Sequence, residues 1–231
     1  NVRLHNFGEP FVDRHLAEKV SYAKQKGIPE VGVISNGSLI DERVARAVVE
    51  AGLDAVNISV DASGREVFER TRVGLKYDVV IANIERLVRI RKELGRTHPK
   101  LILSFVRQGD GGEERAFIER WRQVADKIHI TDIHNWAGTL NRESDVRFPC
   151  YRQWLTFTVL WDGRVSLCCA DFDGSVILGD MRTSSLREIW DGESYRAVRR
   201  EQLESGGPNL CRACDLPRKD SPLWIGKIIG R

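Results

Sequence analysis

From its first residue to about residue 135, the chain alternates short β-branched runs with longer stretches whose apolar positions recur every three or four residues. That alternation is the pattern of strands each followed by a helix around a parallel sheet. The predicted strands are Val2 to Leu4, Val31 to Ser35, Ala55 to Val60, Leu101 to Val106 and Ile128 to Asp132. Between them, His15 to Lys26, Asp41 to Ala51, Tyr77 to Leu94 and Glu113 to Val124 have helical period. In the third of these, Val80, Ile84, Leu87 and Val88 form an apolar stripe while Glu85, Arg86 and Arg89 point away from it. Packing against a sheet accounts for such a stripe. Gly27, Gly52 and Gly95 each follow a periodic stretch, where a glycine takes the left-handed conformation that ends a helix. The chain opens directly on a strand, with no helix or cap before it, so a further βα unit is expected upstream.

From about residue 136 the pattern changes. Trp154 to Leu160 alternates and reads as a strand, Trp161-Asp162-Gly163-Arg164 supplies a turn, and Val165 to Leu167 returns as a second strand. A short helix is expected over Ser185 to Trp190, capped by Ser184 or Thr183 with Glu188 near the third position, and another over Tyr195 to Leu203. The organisation predicted is therefore a partial β/α barrel over residues 1–135, and a small hairpin-plus-helix domain with its tail over 136–231.

Composition narrows the function classes. The 36 Lys plus Arg and 33 Asp plus Glu leave a formal charge of only +3, and the signs are interleaved, which favours neither nucleic acid nor an anionic membrane as partner. No apolar run approaches the roughly 20 residues that span a bilayer, and Asn1 to His5 lacks the apolar stretch of a signal peptide. A cytoplasmic location is expected. All five cysteines lie beyond residue 149, an odd number in an asymmetric place that suits metal ligation in a reducing compartment better than a disulfide framework.

Four of these cysteines carry the chemistry. Cys150 precedes the predicted hairpin and Cys168 ends it, giving C-x12-G-x4-C around Gly163, so the hairpin's closed ends bring two thiols together. Cys211-Arg212-Ala213-Cys214 is a C-x2-C knuckle, whose short loop lets two sulfurs bind one centre. Four soft ligands in two pairs suit one tetrahedral zinc or one [4Fe–4S] cluster, and ligand count does not choose between them. Cys169 reads as a packed thiol, with hydrogen-atom donation to a substrate radical as the alternative.

The order Cys150, Gly163, Cys168-Cys169, Asp171, Gly174, Leu178-Gly179-Asp180, Leu186-Arg187-Glu188-Ile189-Trp190, Cys211-x2-Cys214 resembles the SPASM/twitch extension of radical S-adenosylmethionine enzymes. No cysteine follows Cys214, so the resemblance implies the shorter, twitch-like form with one auxiliary [4Fe–4S] cluster held by Cys150, Cys168, Cys211 and Cys214. In the first half, Phe7-Gly8-Glu9-Pro10 is similar to the family's G-G-E-P motif, with Phe7 in place of the first glycine. The resemblance makes Gly8 and Glu9 contacts to the amino group of the cofactor's methionine part. Ser35-Asn36-Gly37 matches the family's S-N-G position, and Ile58-Ser59-Val60-Asp61 its I-S-x-D segment.

Asn36, Ser59 and Asp61 are thereby implied at the cofactor site, Asp61 having helix capping as its alternative role. Ser104 and Arg107 can reach the same strand ends, where parallel α/β sheets bind ligands, and Arg107 can pair a carboxylate. His134, like His5, is a candidate substrate contact whose ordinary reading is a satisfied surface side chain.

The resemblance implies an enzyme that cleaves S-adenosylmethionine to a 5′-deoxyadenosyl radical and modifies a peptide, sugar or aminocyclitol, with an electron donor such as flavodoxin or ferredoxin. The C-x3-C-x2-C motif that binds the family's catalytic [4Fe–4S] cluster does not occur in this chain. Truncation of its N-terminal segment is the favoured explanation over a degenerate homologue, and this chain alone is expected to be inactive. The rival readings are a non-catalytic zinc- or peptide-binding module on a degenerate barrel, and a plain α/β scaffold without metal.

Overall fold

The computed structural model describes residues 1–107, 111–138 and 149–216. It divides into two compact units, Asn1–Ile133 and His134–Arg231.

The first unit is a five-stranded parallel sheet in the order β1-β2-β3-β4-β5, formed by Val2–Arg3, Val31–Ser35, Ala55–Ser59, Lys100–Arg107 and Lys127–Asp132. The connections run through α1 (Leu16–Gln25), α2 (Glu42–Glu50), α3 and α4 (Arg65–Thr71, Tyr77–Glu93) and α5 (Gly112–Trp121). Each predicted strand and helix is present within a few residues, and the second strand falls on the predicted range. The short α3 is an element the sequence reading missed.

Parallel strands in sequential order, joined by right-handed crossovers, place every helix on one face of the sheet. Residues of that face read apolar: Val33, Val56 and Leu101 share one level, Ile58 and Leu103 the next, and all are almost wholly buried. The opposite face reads differently. Ile34, Asn57 and Ile102 form one rung, and Ser59, Ser104 and His129 the next. This is the partly polar inner wall of an incomplete barrel. The helix ends follow the expected chemistry: Asp41 caps α2 by accepting from Val44 N at 2.7 Å, and Gly27, Gly52 and Gly95 all have positive φ.

The second unit carries a three-stranded antiparallel sheet, β6 (Thr158–Val159), β7 (Arg164–Ser166) and β8 (Ile177–Asp180). Around it lie α6 (Arg152–Leu155), α7 (Leu186–Trp190), α8 (Glu193–Glu204) and α9 (Asn209–Arg212). The expected hairpin forms, with Gly163 at φ 90° in its turn, but its first leg is shorter than predicted. Trp154 and Leu155 belong to a helical turn, because Arg199 on α8 binds the Gln153 carbonyl at 2.9 Å and stacks 4.3 Å from Trp190. The cap of α7 is Ser185, not its neighbours, in a reciprocal capping box with Glu188. Gly179 passes so close to α7 that a β-carbon there would stand 2.6 Å from Ile189. A small core of Val165, Leu167, Leu178, Ile189, Tyr195 and Val198 seals this unit. No helix among the described residues is long and apolar enough to cross a membrane.

Candidate metal centre and cofactor edge

At the C-terminal edge of the parallel sheet, the Phe7-to-Pro10 loop is tied to the end of β2 by one carboxylate. Glu9 accepts from Ser35 Oγ at 2.8 Å and Phe11 N at 3.1 Å through Oε1, and from Asn36 N at 2.7 Å through Oε2. All three partners are donors, which fixes the orientation of this side chain. Gly8 precedes it at φ 96° with open space where a β-carbon would stand. Beyond Asn36, Gly37 runs at φ 78° within 2.9 Å of Ile58 for a would-be β-carbon. Its carbonyl and that of Ser38 accept from the buried Asn83 on α4, at 2.8 and 3.0 Å. Sequence reasoning did not single out Asn83, which lies at a helix position with no motif around it.

One strand along, Ser59 pairs in register with Ser104, whose Oγ donates to Asn57 Oδ1 at 2.5 Å. His129 stands next to Ser104 on β5, in the same rung of the inner face. Burial, aided by Lys127, lowers the pKa of His129. Asp61 does not cap α3, whose N-cap is Gly64. It lies buried at φ 56°, accepts from Val106 N at 2.8 Å and is ion-paired with Arg72. Arg107 is half-exposed and pairs with Glu114 at 2.6 Å and Asp132 at 3.1 Å. His5 accepts from Ile34 N at 3.2 Å, and burial together with Arg3 pushes its pKa down to about 4. The geometry thus joins Glu9, Ser35 and Asn36 directly and sets Ser59 in a polar row, while Asp61 and Arg107 are held by partners within the protein.

In the second unit, Cys150, Cys168, Cys211 and Cys214 line one cavity, together with Arg152, Gln153 and the apolar Ala137, Ala170, Leu210 and Leu216. Three separate segments deliver these thiols. After Cys168 the chain is organised by Asp171, a buried carboxylate that accepts from Ser175 N at 2.8 Å, Ser175 Oγ at 2.6 Å and Val176 N at 3.1 Å. The Cys150 amide donates to Gln202 on α8 at 3.1 Å. Gly207, at φ 88°, lets Gln202 and Cys211 close together, since a β-carbon there would lie 2.2 Å from the Gln202 amide nitrogen and 3.1 Å from the Cys211 β-carbon.

The knuckle is held from behind. Asn135, fully buried, donates to the Ala213 carbonyl at 2.6 Å and exchanges hydrogen bonds with Asp215. Burial pushes the Cys168 and Cys211 thiols up to about 12 and raises Cys214 as well. Buried thiols of this kind become thiolates when a metal supplies the compensating charge, so the donor set fits a thiolate-bound centre. Among the described residues no three His, Cys, Asp or Glu side chains are close enough to hold a single ion. Cys169 is not among the residues that line this cavity. His134 accepts from Trp136 N at 3.2 Å and lies 4.0 Å from its ring, and burial lowers its pKa.

Comparison with known proteins follows this division. Residues 7–98 match the radical SAM superfamily model, and residues 150–215 match SPASM, an iron–sulfur cluster-binding domain. A probable GTP 3′,8-cyclase of Saccharolobus solfataricus is 33% identical over 129 residues, 55% of this chain and 40% of its own length. A probable GTP 3′,8-cyclase of Methanococcus maripaludis is 31% identical over 83 residues, 36% of this chain and 28% of its own length. The chain therefore spans less than half the length of the curated relatives it matches. Among solved structures, BtrN in complex with AdoMet and 2-DOIA superposes with a TM-score of 0.60 at 15% identity, covering 92% of this chain and 71% of that one. Streptococcus suis SuiB bound to precursor peptide SuiA gives 0.63 at 11% identity, covering 91% of this chain and 59% of its own. With the Glu9 loop, β2 and β3 inside the first matched region and all four cavity cysteines inside the second, the chain belongs to the radical SAM superfamily and carries a SPASM iron–sulfur cluster-binding domain.

Proposed function

We propose that the protein is a radical S-adenosylmethionine oxidoreductase or maturase that modifies a peptide or a small polar substrate such as a sugar or aminocyclitol. In this reading Cys150, Cys168, Cys211 and Cys214 hold one auxiliary [4Fe–4S] cluster. The observation that carries it is the convergence of four cysteines from three segments on one cavity whose remaining walls are mostly apolar. A tetrahedral zinc needs its sulfurs about 2.3 Å from one point and so about 4 Å from each other. Spacing within the cavity does not by itself choose between the two, and the match of residues 150–215 to an iron–sulfur cluster-binding domain supports the cluster. Ligation by four cysteines leaves no iron open to substrate, which supports one-electron transfer as the chemistry the cluster supplies.

At the sheet edge, Gly8, Glu9, Asn36 and Ser59 are the proposed contacts to S-adenosylmethionine. Glu9 keeps a lone pair on Oε2 for an ammonium group beyond its bond to Asn36. Asp61 acts indirectly, by fixing Arg72 and the end of β4, and Arg107 serves a cofactor carboxylate by exchanging it for Asp132. The inner-face row of Asn57, Ser104 and His129 is the proposed substrate wall. No cysteine occurs among residues 1–149, so the thiolates of a cluster that binds S-adenosylmethionine do not come from this stretch. Flavodoxin or ferredoxin is the proposed electron donor. A purine nucleotide is the second substrate reading, supported by the 33% identity to GTP 3′,8-cyclases.

Anaerobic reconstitution with iron and sulfide tests the centre. About four irons and four sulfides per chain, lost in Cys150→Ser and Cys214→Ser, are the expected result. Stoichiometric zinc without sulfide overturns it in favour of a zinc-binding module.

A further inference from the structure

Arg152 begins α6, two residues after Cys150, and lines the cysteine cavity. Its Nε is buried and has no hydrogen-bond partner among the described residues. A buried N–H without an acceptor is costly in a folded protein and calls for an explanation, commonly an ion or group that completes it. A buried guanidinium likewise needs negative charge close by. The guanidinium also lies 5.6 Å from the centre of the Tyr151 ring. Arg152 therefore brings a permanent charge and a buried N–H donor to the wall of a cavity lined by four thiols, with Gln153 Oε1 as a further buried acceptor on the same wall.

We infer that Arg152 is a positioning residue for the auxiliary cluster, supplying a buried positive charge and an N–H donor to its sulfurs and thereby raising its reduction potential. The inference rests on the proposal that these four cysteines hold a [4Fe–4S] cluster. Adding one electron to such a cluster makes its negative charge larger, so a fixed neighbouring cation stabilises the reduced form more than the oxidised one. Net charge and hydrogen bonds to sulfur are among the determinants of cluster potential. A lysine at this position keeps the charge but loses the planar fork.

The test is a redox titration, followed by paramagnetic resonance, of the anaerobically reconstituted chain and of its Arg152→Gln and Arg152→Lys variants, each with its iron and sulfide content measured. The expected result is a full cluster in all three. At a fixed solution potential, the ratio of reduced to oxidised cluster in Arg152→Gln falls about tenfold or more, equivalent to about 59 mV for one electron, and Arg152→Lys lies between it and the parent. A full cluster with an unchanged ratio in Arg152→Gln overturns the role. Should Arg152→Gln fail to assemble, Arg152→Lys decides: a lowered ratio with full content supports the role, and a ratio equal to the parent's overturns it. A parent chain that takes up no iron and sulfide overturns the cluster proposal itself, which separates the two failures.

Discussion

Asn135 and Asp215, 80 residues apart in sequence, close a reciprocal pair: the Asn135 amide donates to the Asp215 carboxylate at 2.9 Å, and the Asp215 amide donates to the Asn135 side-chain oxygen at 3.2 Å. Both residues are buried. With the bond from Asn135 Nδ2 to Ala213 O, the pair clamps the chain on either side of Cys214 and fixes the direction in which the knuckle presents its sulfurs.

Asn135→Ala removes the acceptor of the buried Asp215 amide and the bond to the Ala213 carbonyl, while the backbone bond from residue 135 to the Asp215 carboxylate remains. Leaving a buried polar group unsatisfied costs about 1–3 kcal/mol, so the variant is expected to lose at least about 2 kcal/mol in urea unfolding of the second unit. Iron uptake on reconstitution is expected to fall with it. Unchanged stability and full iron content would show that the clamp does not position the knuckle.

Gly207→Ala is expected to be more disruptive than Gly8→Ala, although both positions have positive φ. At Gly207 the added carbon meets Gln202 and Cys211, while at Gly8 it meets nothing within 4 Å. The second substitution carries only the backbone penalty, about 1 kcal/mol, and the first adds a displaced Gln202 and a lost bond to the Cys150 amide. Thermal unfolding of the two variants gives the comparison, and equal losses contradict it.

His5 gives the first unit a pH dependence of definite sign. Its folded pKa, about 4, lies below the ordinary histidine value of about 6.5, so between those values the unfolded chain binds a proton that the folded chain does not. The His5 contribution is fully present above about pH 6.5 and is lost as pH falls towards 4. Protonation also removes the acceptor for Ile34 N. His5→Gln is expected to flatten the stability profile across this window, and a slope identical to the parent's rules out the assignment.

Glu9→Gln preserves shape but turns an acceptor-only group into one with a donor end. Three donors converge on the Glu9 carboxylate, so one of them faces an N–H in the variant. A loss of about 1–3 kcal/mol is expected, together with faster amide exchange at Asn36. Binding of S-adenosylmethionine to a protein whose cofactor site is complete is expected to weaken in parallel. Retained stability and retained exchange protection contradict the structural part of this role.

Much of this architecture is legible in sequence because it rests on local rules. Strands β2 to β5 and helices α1, α2, α4 and α5 announce themselves through period and through the glycines that end them, since a residue's burial in a regular element repeats at fixed spacing. The cysteine set and the hairpin glycine are equally visible, because ligand type and turn chemistry belong to individual residues. Trp154 to Leu160 misled for the same reason: alternation over a few residues does not distinguish a strand from a helical turn, and here Arg199, reaching from α8 to the Gln153 carbonyl, decided it.

The sequence by itself determined a parallel βα half followed by a thiol-rich half, and which residue types could bind metal or cofactor. Only the tertiary structure decided which of those side chains are engaged within the protein. Asp61 is committed to Arg72 and Val106, and Arg107 to Glu114 and Asp132. Arg152, unremarkable in sequence, is instead left with a buried N–H among four cysteines. The physical reason is that a hydrogen bond or ion pair depends on groups meeting in space at about 3 Å, and the residues that meet are often tens of positions apart, as with Asn135 and Asp215.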